Sequence, residues 1–209
     1  MRRRAVQAVL GLGAAAILVV SGCIPPRPSP SASPPAPTSA ATATPAPTAS
    51  VASPAAGVTV DASLLGILPG SVSGVPITPD PETAAQIADE GSIAPFVSAI
   101  ALAAAFGPPA SDGTADYVVV TVAKLRPGTF SDLFFRGWRD TFDAGVCEQA
   151  GGVDGNAETD IDGHRTFIGT CKGGVHTYHV HLATSDVIVS MQGLGGGGWP
   201  ERIVADLTE

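Results

Sequence analysis

A tract made almost entirely of proline, serine, threonine and alanine runs from Ile24 to Gly57 and limits what the rest of the chain can fold into. Ten of the 19 prolines in the 209-residue chain lie between Pro25 and Pro54. Because proline prevents a continuous helix and Ile24 and Val51 are the only large apolar side chains of the tract, residues 23–57 are expected to form a disordered linker. Folding is therefore confined to residues 58–209, which are enough for one globular domain.

The residues before this tract have the pattern of a secretory signal. Arg2, Arg3 and Arg4 precede an apolar stretch, Ala5–Val20, whose one polar residue is Gln7. The stretch is shorter than the roughly 20 residues that a membrane-spanning helix needs, but it suits the apolar region of a signal peptide. Residues 1–22 are therefore predicted to be removed.

The predicted signal peptide ends in Val20-Ser21-Gly22-Cys23. An aliphatic residue, two small residues and a cysteine in this order resemble the lipobox of bacterial lipoproteins. The resemblance implies that Cys23 is acylated and becomes the first residue of a protein held at the extracytoplasmic face of the cell membrane. Two or more acyl chains give stable anchoring, so the membrane is the predicted partner through this lipid.

Charge and composition narrow the class of protein further. The formal net charge is −8 and charged residues make up 14% of the chain, whereas 44% of its residues are hydrophobic. A nucleic-acid binder needs a basic surface, so the acidic balance argues against one. Arginine outnumbers lysine, and alanine, proline and glycine are abundant, which is typical of a high-GC bacterial genome. With its lipobox and linker, the whole chain resembles uncharacterised secreted lipoproteins of actinobacterial type.

Capping and breaker residues predict the first helices of the domain. Asp80 is suited to cap a helix that starts at Pro81 and ends at Gly91. A second helix is predicted over residues 95–106, because this alanine-rich stretch is apolar except for Ser98 and precedes Gly107.

A central strand and an amphipathic helix follow. Tyr117–Leu125 is predicted to be a strand covered on both sides, because apolar residues point to both of its faces. Ser131–Ala144 is predicted to be a helix with an aromatic face and a charged face. The aromatic face contains Phe134, Phe135, Trp138 and Phe142. The charged face contains Asp132, Arg136, Arg139, Asp140 and Asp143. Pro200–Leu207 is predicted to be a short closing helix.

Three turn signals predict a β-meander in the C-terminal third. Asp162-Gly163 and Gly173-Gly174 are type I′ turn pairs, and Thr184-Ser185 is predicted to form the third turn. Together with the helices, this gives an α+β fold in which an antiparallel meander packs against helices. The order strand, helix, meander, helix faintly resembles the Mog1/PsbP-type fold over residues 117–207, and this topological resemblance implies no function.

Counting outward from the turns assigns partners and faces to the strands. The second turn pairs Phe167 with Val180, and the third pairs Val180 with Val189. The apolar face then contains Phe167, Tyr178, Val180, Leu182, Val187, Val189 and Met191. The polar face contains Thr166, Thr170, Thr177, His179, His181, Ser190 and Gln192. The aromatic helix is expected to cover the apolar face and to leave the polar face to solvent.

The two cysteines that remain after Cys23 are expected to form a disulfide. Cys147 follows the aromatic helix and Cys171 ends a meander strand, in a compartment where disulfides persist. The alternative is that one of them is a thiol nucleophile beside His176.

Histidines are the one concentration of possible metal ligands. The meander register places His164, His179 and His181 on the polar face, where three imidazoles could hold Zn²⁺ or Cu²⁺. The alternative is a solvated histidine face with no ligand. Two glycine motifs are predicted to be turns: residues 193–198 match a dinucleotide-binding pattern but lack a following strand, and residues 158–163 begin like a calcium loop but lack its final glutamate.

Two classes of function remain. The first is a non-enzymatic, lipid-anchored module that binds a small molecule, an envelope polymer or another protein and needs no cofactor. The second is an enzyme or metal carrier that uses the histidine face. The first is favoured because the sequence contains no evident nucleophile–base pair, paired carboxylate site or phosphate loop.

Overall fold

The computed structural model of the chain describes residues 57–109 and 114–209. Its strands are β1 (Thr59–Val60), β2 (Ser71–Val72), β3 (Val75–Pro76), β4 (Thr78–Pro79), β5 (Val97–Phe106), β6 (Tyr117–Leu125), β7 (Val153–Ile161), β8 (His164–Cys171), β9 (His176–Leu182) and β10 (Val187–Leu194). Its helices are a 3-10 helix (Ala62–Ile67), α1 (Pro81–Asp89), α2 (Asp132–Glu148) and α3 (Trp199–Ala205).

One mixed sheet organises these elements. Its strand order is β1-β5-β6-β10-β9-β8-β7, β4 also pairs with β5, and β2 and β3 form a separate hairpin. The pairs within the eight-stranded sheet are antiparallel except for β1 with β5. The α+β class is therefore confirmed. Only β7 to β10 form a meander. The strand beside β10 is β6, and the parallel pair of β1 and β5 lies at the edge of the sheet opposite β7.

Helix caps lie where the sequence predicts them. The Asp80 carboxylate accepts a hydrogen bond from the Thr83 backbone N–H at 3.0 Å, and Pro81 is the first residue of α1. The Ser131 hydroxyl accepts one from the Phe134 N–H at 3.1 Å and starts α2. These side chains satisfy amide donors that the first helical turn leaves unpaired. The helix α2 continues to Glu148, one turn beyond the predicted end.

The prediction of a helix over residues 95–106 is wrong, because Val97–Phe106 is the strand β5. A short apolar run does not distinguish a buried strand from a buried helix. Here β5 pairs with β6 along its whole length and with β1 and β4 on its other edge. Its side chains alternate between two cores: Ile100 and Leu102 pack beneath α1, whereas Ala105 packs on the opposite side. Tertiary pairing outweighs the helix propensity of alanine.

The predicted register between β8 and β9 is wrong by one residue. Phe167 pairs with His179 rather than with Val180, and Thr166 pairs with Val180. The reason is the turn: the loop between paired residues has three residues and ends in Gly174, which has a positive φ of 80°. Such a loop shifts the partner strand by one position relative to a two-residue turn. The register from the third turn is confirmed.

The shift moves whole sets of side chains to the other face of the sheet. We call the two sides the α3 face and the α2 face, after the helices that cover them. On the α3 face, the meander contributes buried Tyr178, Val180, Leu182, Val187, Val189 and Met191 to an apolar core with α3 and residues of the 3-10 helix. Phe167 is instead on the α2 face, and Thr166 and Thr170 are on the α3 face.

The aromatic helix covers the polar face, contrary to the prediction. Phe135 and Trp138 of α2 pack with Phe167 and Ile188, on the same side of the sheet as His179 and Ser190. This side is therefore not left to solvent. The predicted central position of β6 is confirmed, because Val120 belongs to the α3-face core and Ala123 to the α2-face core.

Candidate functional site

Two depressions flank α2 on the face of the sheet that it covers. The apolar cleft lies between α1 and α2 and has a volume of about 510 Å³. The charged groove lies between α2 and the β7–β8 hairpin and has a volume of about 620 Å³. Both volumes lie in the range of sites that bind small molecules. The helical repeat of α2 explains the pair, because Leu133, Phe134, Trp138 and Phe142 line the cleft, whereas Phe135 and the charged residues of the helix line the groove.

Aromatic and aliphatic side chains form the apolar cleft. Its deepest residue is Ile100, which is 1% exposed, and the Thr121 hydroxyl adds a polar atom to the lining. The rings of Phe96 and Phe134 lie 5.3 Å apart between centroids in a tilted arrangement. Leu133 stands at the rim and is 79% exposed. Phe96, which is 42% exposed, extends the same open apolar surface, and contiguous surfaces of this kind mark binding sites, so the cleft is suited to an apolar occupant.

Arginine side chains stack on an aromatic ring in the charged groove. The Arg139 guanidinium lies 4.0 Å from the Phe167 ring centroid, and the Arg165 guanidinium lies 4.7 Å from it. Arg165 also donates to Glu158 at 2.5 Å. This ion pair holds the pKa of Glu158 below its ordinary value, mainly through the hydrogen bond.

A chain of hydrogen bonds runs beneath α2 from the cleft wall to the groove wall. Trp138 Nε1 donates to Ser190 Oγ at 2.9 Å, and Ser190 Oγ lies 3.0 Å from His179 Nδ1. His179 Nε2 lies 2.9 Å from Asp143 Oδ1, which also accepts from the Thr177 hydroxyl at 2.5 Å. An ionised carboxylate only accepts hydrogen bonds, so His179 Nε2 is the donor to Asp143.

The Asp143 carboxylate is the acceptor on which these donors converge. Burial raises its pKa, but the hydrogen bonds from His179 and Thr177 and the charges of His179 and Arg139 outweigh burial and hold the pKa below its ordinary value. Gly169 leaves room for this arrangement: a Cβ at that position would lie 2.6 Å from Asp143 Oδ2. The geometry of the site therefore depends on a glycine at this position.

Asp143, His179 and Ser190 are the residue types of a hydrolytic triad, but their surroundings do not suit catalysis. Ser190 is fully buried and His179 is 1% exposed. Trp138 hydrogen-bonds to the serine oxygen that would have to attack a substrate. A nucleophile must reach the reacting atom, and buried Ser190 cannot. The series of hydrogen bonds from Trp138 to Asp143 therefore serves to hold α2 on a polar strand surface.

The three histidines predicted to share a face do not do so. The corrected register puts His164 on the α3 face, opposite His179 and His181. The His181 ring stacks on Phe130 with centroids 3.5 Å apart, and its Nε2 lies 3.4 Å from Asp186. Within residues 57–109 and 114–209, no three His, Cys, Asp or Glu side chains are grouped so that they could hold a metal ion. The metal hypothesis thus loses the geometry on which it was based.

The predicted disulfide between Cys147 and Cys171 is present, with Cα atoms 5.1 Å apart. It joins the last turn of α2 to the end of β8. Because both sulfurs are bonded, the alternative of a thiol nucleophile beside His176 is wrong. His176 instead lies 3.4 Å from the Thr170 hydroxyl.

The two glycine motifs are local structure. Residues 195–198 connect β10 to α3, and a Cβ at Gly197 would lie 2.6 Å from Asp116 Oδ2, so close packing explains the glycine there. The Asp162-Gly163 pair has the positive φ values of 50° and 87° expected for its turn, and Gly163 N–H donates to Asp160 at 2.9 Å.

The sequence identifies the α2 residues of both depressions but not their roles. The charged-face pattern predicts no site for Asp143 and Arg139, and the aromatic-face pattern predicts only a core contact for Trp138. The signal was the alternation of Thr177, His179 and Ser190 on interior strands, because such side chains need partners when a helix covers them. Cys23 and residues 1–56 lie outside the described residues, so lipidation stays a prediction.

Among the helices in the described part of the chain, none is long and apolar enough to cross a membrane. No protein-family model, curated protein or solved structure matches the chain.

Proposed function

We propose that the chain is a lipid-anchored extracytoplasmic protein that binds an apolar small molecule in the cleft between α1 and α2. The observation that carries this proposal is the cleft itself, an apolar depression of about 510 Å³ that reaches the sheet at Ile100. Its size suits a small molecule rather than a protein segment. A binding role agrees with the lack of an accessible nucleophile–base pair in the described residues.

The composition of the cleft favours an apolar ligand. Phe96, Phe134 and Trp138 form a series of tilted rings along the cleft, each within about 6 Å of the next. Aromatic side chains contribute large apolar areas with little conformational freedom. Thr121 and Ser92 are polar residues of the lining and are suited to orient a ligand that carries one hydroxyl or carbonyl group.

The lipid anchor is the second element of the proposal, and it follows from the lipobox ending at Cys23. An anchored domain would stay near the membrane, where apolar molecules are concentrated. The test is palmitate labelling of the chain in a bacterial host that processes lipoproteins. We expect labelling and membrane fractionation to be lost in Cys23→Ala, and a variant that is still labelled would contradict the anchor.

The cleft is tested by filling it. Gly137 lines the cleft on α2, and a Cβ there meets no atom within 4 Å. In Gly137→Leu the new side chain should occupy ligand space. Gly145→Leu is the matched control, because Gly145 is also in α2 and is also open, but it does not line the cleft. Both changes replace a helical glycine and should stabilise the helix by up to about 1 kcal/mol.

The measurement uses residues 23–209 with Cys23→Ser, so that no acyl chain competes for the cleft. N-phenyl-1-naphthylamine, whose fluorescence increases in apolar surroundings, is titrated into each variant. We expect saturable binding that Gly137→Leu weakens at least tenfold, about 1.4 kcal/mol, and that Gly145→Leu leaves unchanged. Equal affinity in both variants would show that the probe binds elsewhere.

A further inference from the structure

We infer that the charged groove is a second binding site, in which Arg139 recognises the oxyanion of a small ligand bearing a carboxylate or phosphate group. The groove lies on the other flank of α2 from the apolar cleft, so the inference does not depend on the proposed apolar ligand. Carboxylates and phosphates share the geometry that a planar guanidinium binds with two parallel hydrogen bonds.

The first observation is the state of the Arg139 side chain. Its Nε is buried and has no hydrogen-bond partner among the described residues. Its guanidinium lies 4.0 Å from the Phe167 ring centroid and 5.7 Å from that of Phe135. Buried polar atoms are nearly always hydrogen-bonded in folded proteins, so the protein leaves the hydrogen-bonding capacity of this guanidinium partly unused.

The second observation concerns charge. Arg136 and Arg139 lie three residues apart on α2 and both line the groove, a spacing that places side chains next to each other on a helix. Neither forms an ion pair within the described ranges. Arg136 is exposed, so water screens its charge, and Arg139, whose charge also acts on Asp143 and Glu158, is the cation on which recognition depends.

Four carboxylates also line the groove, and their negative charges would repel an anionic ligand. Two of them are already engaged: Glu158 by Arg165, and Asp143 by His179 and Thr177. The other two, Asp132 and Asp140, are exposed on the surface of α2, where water screens their charge. Arg139 lies deeper, so its field is screened less.

The stacking on Phe167 orients the Arg139 guanidinium before a ligand arrives. A guanidinium held over a ring loses less side-chain freedom on binding than a free one does. The groove volume of about 620 Å³ leaves space for a small molecule beside it. We therefore expect organic carboxylates and phosphate monoesters to fit, and the two can be separated by titrating succinate and inorganic phosphate.

The test follows the Nε–H resonances of arginine by NMR in the chain from residue 23 to Glu209, with Cys23→Ser, at constant ionic strength. We expect a saturable shift of the Arg139 Nε–H signal with at least one of the two probes. Arg202, which is exposed on α3 across the sheet, is the internal control and should not shift in a saturable way.

Variants separate recognition from general charge. Arg139→Gln should weaken binding of the effective probe at least tenfold, whereas Arg202→Gln should not change it. Arg139→Lys keeps the charge but loses the planar pair of donors, so it should bind at least threefold more weakly than the parent protein. If Arg139→Gln does not fold, the Arg139→Lys titration decides.

Two results would overturn the inference. One is the absence of a saturable Arg139 shift with both probes. The other is an affinity that neither Arg139 variant lowers. Binding of N-phenyl-1-naphthylamine to the Arg139 variants reports the apolar cleft separately, so failure at the groove and failure at the cleft can be distinguished.

Discussion

The two faces of the sheet are both covered, but by different chemistry. On the α3 face, Val180, Val189 and Met191 pack with Ile203 and Val204 of α3 in an apolar core. On the α2 face, the same strands present Thr177, His179 and Ser190, which pair with Asp143 and Trp138 of the covering helix. One face is held by close packing and the other partly by directional hydrogen bonds.

The two kinds of contact distinguish the face that stabilises the fold from the face that can bind ligands. Close packing leaves little tolerance for changes of volume, and the α3-face core serves stability. The α2 helix is fixed at its centre by the hydrogen-bonded chain and at its end by the Cys147–Cys171 disulfide. Its two flanks can therefore stand open as the apolar cleft and the charged groove.

The largest expected effect is a cavity on the α3 face. Met191 is fully buried there, so Met191→Ala should reduce the free energy of unfolding by about 2–5 kcal/mol. Urea denaturation measures the loss. Binding of the apolar probe to the folded fraction should not change, since the cleft is on the other face. A loss below about 1 kcal/mol would show that this face is not the close-packed scaffold.

Next in size is the loss of the disulfide that holds the end of α2. Cys147→Ser with Cys171→Ser opens a loop with a sequence separation of 24 residues, which should reduce the free energy of unfolding by about 3 kcal/mol. Urea denaturation of the double variant is compared with that of the parent protein, and the parent is measured in both the oxidised and the reduced state. An identical midpoint for the two states would mean that the bridge contributes nothing to the attachment of α2.

Removal of the common acceptor tests the hydrogen-bonded chain. Asp143→Ala leaves the His179 N–H and the Thr177 hydroxyl without their partner, which should cost about 1–3 kcal/mol. Asp140→Ala is the matched control, because Asp140 is exposed one turn earlier in α2. Equal stability of the two variants would mean that packing alone holds α2 in place.

The smallest effect is the dependence of stability on pH. The folded pKa of Asp143 is lowered because the hydrogen bonds from His179 and Thr177 outweigh burial. A carboxylate with a depressed folded pKa contributes stability above its ordinary value of 3.8, and this contribution is lost as the pH falls through the folded pKa. The difference in unfolding free energy between the parent and Asp143→Ala should therefore shrink on acidification. A difference that grows instead would contradict this assignment.

Elements with strong local signals could be predicted from the sequence. The helix caps at Asp80 and Ser131, the limits of β6 and the third meander turn depend on residues close in the chain. The disulfide followed from counting, since two cysteines remain once Cys23 is set aside. Each of these predictions required no knowledge of distant neighbours.

The predictions that failed depended on distant neighbours. Whether Val97–Phe106 is a helix or a strand is decided by its pairing with β6. β6 is the next element in the chain, but Val97 pairs with Leu125, which is far from it in the sequence. One extra residue in the loop before Val175 reverses the faces of Phe167 and Thr166. A side-chain period of two makes such an error propagate along the whole strand.

The candidate site was hidden for a related reason. Polar strand residues were expected to face solvent, because the sequence pattern cannot show that Asp143 and Trp138 lie above His179 and Ser190. Arg139 likewise has the pattern of a solvated helix residue, and only the position of Phe167 gives it a ring to stack on. A site that combines side chains of a helix with those of distant strands cannot be predicted from the sequence pattern alone.

The most direct test of the proposed function is methyl NMR of residues 23–209 with Cys23→Ser and with isoleucine δ1 methyls labelled. Ile87, Ile93 and Ile100 line the apolar cleft, whereas Ile168 and Ile203 are on the α3 face. On titration with N-phenyl-1-naphthylamine, we expect saturable shifts and ligand NOEs at the three cleft methyls and no shift at the two α3-face methyls. Saturable shifts and ligand NOEs confined to Ile168 and Ile203 would contradict the proposed function.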